Sequence, residues 1–116
     1  MSEKHIRHIV YYRDYYLNFF AGLRPPVKSK FNWTLQLIAT LDRIPERYFK
    51  HLSGTNGLYE IRVEVGSDIY RVFCFFDKQQ LVILMNGFVK KSHKTPRSMI
   101  QQAEKLLKQY FNEKEK

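Results

Sequence analysis

The chain has 116 residues, enough for about one domain and one core, and nine Phe with eight Tyr exclude a disordered protein outside its ends. Twenty Lys and Arg against eleven Asp and Glu give a formal charge of +9 and a pI of about 9.7, which points to a polyanionic partner, either nucleic acid or an acidic protein. A single cysteine, Cys74, leaves no disulfide framework and no thiolate metal cluster.

The β-branched and aromatic residues of "HIRHIVYY", from His5 to Tyr12, predict a first strand. Asp14 then opens a short helix that Gly22 ends, with Pro25 and Pro26 just beyond. The prolines suit the first turn of a second helix, whose Val27, Phe31, Leu35, Ile38 and Leu41 recur at helical spacing and form one buried stripe. "HLSGTNG" reads as a polar connection. In "LYEIRVEV", Tyr59, Ile61, Val63 and Val65 alternate with Glu60, Arg62 and Glu64, the pattern of a strand with one face buried. "GSD" turns the chain into "IYRVFCFF", and "DKQQ" turns it into "LVILMNGFV", so an antiparallel meander follows.

Thr95 and Pro96 make a cap and first position for a last helix, with a stripe at Met99, Ile100, Ala103, Leu106, Leu107, Tyr110 and Phe111. The polar tail from about residue 112, "NEKEK", is expected to fray. The order β-α-α-β-β-β-α predicts one α+β domain over residues 1–116, with an antiparallel sheet, an N-terminal helix pair and a C-terminal helix. No stretch has the length and apolarity of a membrane span, and "MSEKHIRH" lacks the apolar centre of a signal peptide, so the expected compartment is the cytoplasm.

Strand alternation turns Arg62 away from the core-facing Ile61 and Val63, and Arg71 away from Tyr70 and Val72. Hairpin pairing then sets both guanidiniums on one face. Lys90, Lys91, His93, Lys94 and Arg97 follow, at the end of the last strand and the start of the last helix. Such a cluster repels itself unless an anion joins it, and a helix N-terminus favours acids by about 0.3–1 kcal/mol each. A phosphate would reverse the sign of both effects. Arginine suits that task because its planar fork grips two phosphate oxygens and keeps its charge. Phe73 and Phe75 alternate onto the face of Arg71, as candidates to stack on bases or meet a protein partner, or as the seat of the last helix. His93, whose free pKa lies near neutrality, is a proton-transfer candidate. No glycine-rich phosphate loop, nucleophile elbow or pair of His at metal-ligand spacing is present, so neither metal nor cofactor is expected.

"GLYEIRVEVGSDIYRVFCFFD" followed by "LMNGFVKKSHKTPRSMIQQAEKLLKQY" resembles the RelE/ParE superfamily of bacterial type II toxins, within it the phage-derived, HigB-like branch. The resemblance implies a small basic toxin that cuts mRNA, commonly on the translating ribosome, and that is silenced by a cognate antitoxin with a helix-turn-helix domain. By motif position it also implies that Arg62, Arg71, Lys90 and Lys91 belong to the cationic RNA-cutting surface. Glu60 stands where classical members carry a second lysine. The implied reaction is metal-independent attack of a ribose 2′-OH on the adjacent phosphate, with Arg62 and Arg71 on the phosphoryl oxygens and Lys90, Lys91, His93 or Lys94 moving protons. A ParE-like, non-catalytic inhibitor of DNA gyrase and an inactive domain of the same fold are the alternatives.

Overall fold

The computed structural model describes residues 5–78, 80–83, 88–90 and 95–114, with the backbone alone for 82–83 and 88–90. The chain runs through β1 (His8–Tyr11), α1 (Tyr15–Ala21), α2 (Pro25–Thr40), β2 (Phe49–His51), β3 (Leu58–Val65), β4 (Asp68–Asp77), β5 (Gln80–Ile83), β6 (Phe88–Lys90) and α3 (Arg97–Lys114). The α+β class and the order of the long elements match the sequence reading.

Three details differ from it. The first strand joins the sheet in parallel, His8 to Tyr11 against Gln80 to Ile83, so the sheet is mixed. A short strand, β2, forms in the connection after α2 and adds an edge beside β3. The last meander strand is divided into β5 and β6, which pair with successive stretches of β4 on the side away from β3. The resulting order is β1-β5-β4-β3-β2, with β6 on β4. The turn between β3 and β4 has Val65 opposite Asp68 and Gly66 at φ 61, the left-handed start that a two-residue hairpin turn requires.

Helices cover both faces. On one side α1 and α2 bury Tyr16, Val27, Phe31, Leu35 and Ile38 against Ile61, Val63, Tyr70, Val72, Cys74 and Leu81. Phe31 is the hub of that layer, with ring centroids of Tyr16, Phe19 and Tyr70 at 6.1, 5.7 and 6.0 Å. On the other side Ala103 of α3 packs with Tyr12, Leu58, Phe73 and Phe75. The central strand β4 is therefore buried continuously from Tyr70 to Phe75, as strands covered on both faces are. Cys74 lies in it with no exposed surface, and burial pushes its thiol pKa well up.

Polar ties hold the ends of the helices. Arg7 donates to the carbonyls of Ile38, Leu41 and Asp42 at 2.9, 2.5 and 2.8 Å, a cation on the carbonyl end of α2 where the helix dipole favours it. The last helix continues through Lys114 rather than fraying from residue 112. Its end is fixed because Glu113 accepts from Tyr12 Oη at 2.9 Å and pairs with Arg13. Asp77 Oδ2 accepts from both Tyr110 Oη and Lys114 Nζ at 2.7 Å. Those two bonds hold the Asp77 carboxyl below the usual range, while burial and the facing carboxylate push Tyr110 up to about 12.

Two outcomes follow from this packing. Phe31→Ala should lower unfolding stability by about 3–5 kcal/mol in urea titration, because a fully buried ring leaves a cavity. The depressed Asp77 pKa means that its contribution is complete above the unfolded carboxylate value of about 3.9 and is lost as pH falls through the lower folded value. Asp77→Asn should accordingly flatten the fall in melting temperature below about pH 4.

Candidate functional site

Hairpin register sets Arg62 directly opposite Arg71 on adjacent strands. Like charges so placed destabilise a sheet, and Glu60, two positions from Arg62 on the same face, offsets them. Its Oε1 lies 3.2 Å from Arg62 Nε and 3.4 Å from Arg71 Nε. Its Oε2 accepts from Thr95 Oγ1 at 3.0 Å, just ahead of α3. Glu60 is 2% exposed, so the carboxylate is part of the interior.

The two arginines are not equivalent. Alternation places Arg71 on a solvent face, but α3 crosses that face and the side chain is only 6% exposed. It donates from Nη1 to its neighbour's carbonyl, Tyr70 O, at 2.9 Å. Burial, then the nearby Arg62, lowers its pKa from the ordinary arginine value, and Glu60 and Glu64 act in the opposite direction. Arg62 lies nearer the β2 edge with a side chain 21% exposed. Its Nη1 donates to Glu46 O at 3.3 Å, and its backbone N–H to Tyr48 O at 2.8 Å. Its outer side opens on a cavity of about 220 Å³ lined by Lys30, Arg47, Tyr48, Arg62 and Glu64.

The other sequence candidates divide clearly. Phe73 and Phe75, at 0% and 1% exposure, lie beneath α3, and Phe75 packs on the rings of Tyr110 and Phe111. The base-stacking role expected of them is thereby removed, because the helix takes the apolar surface a base would need. Arg97 is exposed at the start of α3, in a separate depression with Ser53, Thr55 and Glu104. Thr95 donates to Glu60 just ahead of α3, whose first turn holds no acid. Lys90 is paired by its backbone with Ile69, two positions along β4 from Arg71. Its side chain, and all of Lys91, His93 and Lys94, lie outside the described residues.

Sequence reasoning missed the residues beside Arg62: Lys30, Arg47 and Tyr48, which line its cavity, and Trp33, which adjoins Tyr48. Trp33, 45% exposed on the outer side of α2, meets Tyr48 edge to face, with centroids 5.3 Å apart at 76°. Lys30 Nζ sits 4.4 Å from the Trp33 ring centre, and the Arg47 guanidinium 4.7 Å from that of Tyr48. A readable signal was present: the buried stripe of α2 runs through positions 27, 31, 35 and 38, which turns the chain's single tryptophan outward.

The family described as phage-derived protein Gp49-like (DUF891) matches residues 18–108, from α1 well into α3. The chain belongs to this family. Gp49-like proteins are toxins of toxin–antitoxin pairs related to RelE and HigB, and a cognate antitoxin is therefore a partner of this chain. No match was found among curated proteins. Among the described residues no helix is long and apolar enough to cross a membrane.

The buried charge group gives this toxin a test of its own. Glu60→Gln removes the one carboxylate shared by two arginines and leaves Arg71 buried without it. We expect a loss of about 3 kcal/mol in urea unfolding, with much of it restored in the Glu60→Gln, Arg71→Met double variant.

Proposed function

We propose that this Gp49-like toxin is an endoribonuclease that cleaves mRNA on the translating ribosome without a metal ion, and that Arg62 is its phosphate-binding residue. The observation that carries this reading is the placement of Arg62, a guanidinium held from behind by Glu60 and from the side by Glu46 O, yet open to a cavity where Lys30 and Arg47 outnumber the one carboxylate, Glu64. A guanidinium fixed in advance stabilises charge that develops on a phosphoryl group without reorganising during the reaction.

In the proposed reaction the ribose 2′-oxygen bonds to the adjacent phosphorus and the bond from phosphorus to the 5′-oxygen breaks. The products are a 2′,3′-cyclic phosphate and a 5′-hydroxyl. Arg62 binds the phosphoryl oxygens. Glu60, being interior, is a positioning residue that holds Arg62 rather than touching RNA, and Arg71, also interior, shares the same carboxylate. Lys90, Lys91, His93 and Lys94, which follow β4 through β6, are the groups we assign to proton transfer. The antitoxin we envisage carries a helix-turn-helix domain and covers the Arg62 cavity, where an acidic segment meets three cations.

Expression of the chain alone should arrest bacterial growth with loss of full-length mRNA, and Arg62→Ala should relieve the arrest at equal protein level. In ribosome-bound mRNA cleavage the same change should cost about 10²–10³ in rate, as for other fixed donors to a developing oxyanion. Arg62→Lys should restore little of it, since an ammonium lacks the fork. A fully active Arg62→Ala enzyme, or inhibition of DNA supercoiling with mRNA intact, would refute the assignment.

A further inference from the structure

Beside Arg62, the outer face of α2 and the loop before β2 bring together two aromatic rings, Trp33 and Tyr48, and two cations, Lys30 and Arg47. Lys30 and Arg47 have no carboxylate partner among the described residues. Their heads lie near the Trp33 and Tyr48 rings at 4.4 and 4.7 Å, while the neighbouring Lys50 is paired with Glu46 at 3.6 Å. Trp33, 45% exposed on α2, meets the Tyr48 ring edge to face, so the two rings form one aromatic surface. The cavity that joins Lys30, Arg47 and Tyr48 to Arg62, with Glu64 also in its lining, is about 220 Å³, below the roughly 300 Å³ from which small-molecule pockets begin. A chain lying across the surface fits it better than an enclosed ligand.

We propose that Trp33, Tyr48, Lys30 and Arg47 form a stacking platform for unpaired bases of single-stranded RNA, flanking the phosphate bound at Arg62. The proposal rests on the reading of Arg62 as a phosphate-binding residue and names what holds the adjoining nucleotides. Rings interleaved with cations match a polymer in which flat bases alternate with negative charges, and each stacked base adds affinity with little regard to its identity. An acidic protein would satisfy the cations equally but has no systematic use for the ring faces.

Because Trp33 is the only tryptophan, its fluorescence reports the platform directly. The full-length chain is titrated with a single-stranded 2′-O-methyl RNA, which it cannot cleave, with an abasic sugar-phosphate oligomer of equal charge, and with polyglutamate. We expect saturable quenching by the RNA alone, and about tenfold weaker binding of the abasic oligomer. Tyr48→Ala should weaken RNA binding about tenfold. Lys30→Gln with Arg47→Gln should reduce the slope of log affinity against log salt by about 0.7 for each lost contact. Equal quenching by polyglutamate would overturn the proposal in favour of an acidic protein surface. Absence of quenching by RNA at low salt would overturn it outright, as would wild-type RNA affinity in both the tyrosine and the double-cation variants. Quenching as expected, together with no cleavage of mRNA, would remove the nuclease reading and leave the platform standing.

Discussion

A carboxylate with almost no exposed surface, sharing one oxygen between two guanidiniums, sets the geometry of the cationic end of the sheet. Without Glu60, Arg62 and Arg71 would face each other across β3 and β4 as like charges in a poorly solvated space. With it the group has one net positive charge, and that charge is accessible only through Arg62. The other oxygen of Glu60 binds Thr95 just before α3, so the same side chain ties the entry of the last helix to the sheet. The helix that lacks an acid in its own first turn begins beside one supplied from β3.

The sheet divides two kinds of chemistry. One face is an uninterrupted apolar layer under α1 and α2, centred on Phe31. The opposite face is apolar where α3 covers Phe73 and Phe75 and charged toward Glu60 and the two arginines. Stability and the proposed chemistry are thus separated along the length of α3, whose far end is held by Asp77 and Tyr12. A buried ion group is poor evidence of stability in itself, since well-packed apolar residues often replace one without loss. Its value here lies in holding a guanidinium that still meets solvent.

Much of this was legible in the residues. The alternation of "LYEIRVEV" gave β3 its buried face, and the two-residue turn at Gly66 fixed the register that opposes Arg62 to Arg71. The error over Arg71 came from applying the alternation rule to a strand without an outer face. "IYRVFCFF" is nearly continuous in apolar residues, the mark of coverage on both sides, and that mark also foretells the burial of Phe73 and Phe75. Parallel pairing of β1 with β5 had no local signal, because it joins residues far apart in sequence with no turn between them. β2, three residues long, is too short to show a period. The tail of α3 reads as polar, and its order comes from tertiary ion pairs that composition does not register.

Cys74 has a consequence for observing this protein at work. Its thiol faces the α1 and α2 layer from the strand whose other face bears Arg71, with no exposed surface and a pKa raised by burial. Thiolate, the reactive form, is therefore scarce, and a reagent cannot reach the sulfur while the layers stay closed. Alkylation of this lone cysteine becomes a clock for separation of the helix pair from the sheet, read by mass on the unmodified chain. A partner that binds only the closed form slows that clock in proportion to its occupancy, so an antitoxin or an RNA can be followed without attaching any label to the surface it covers.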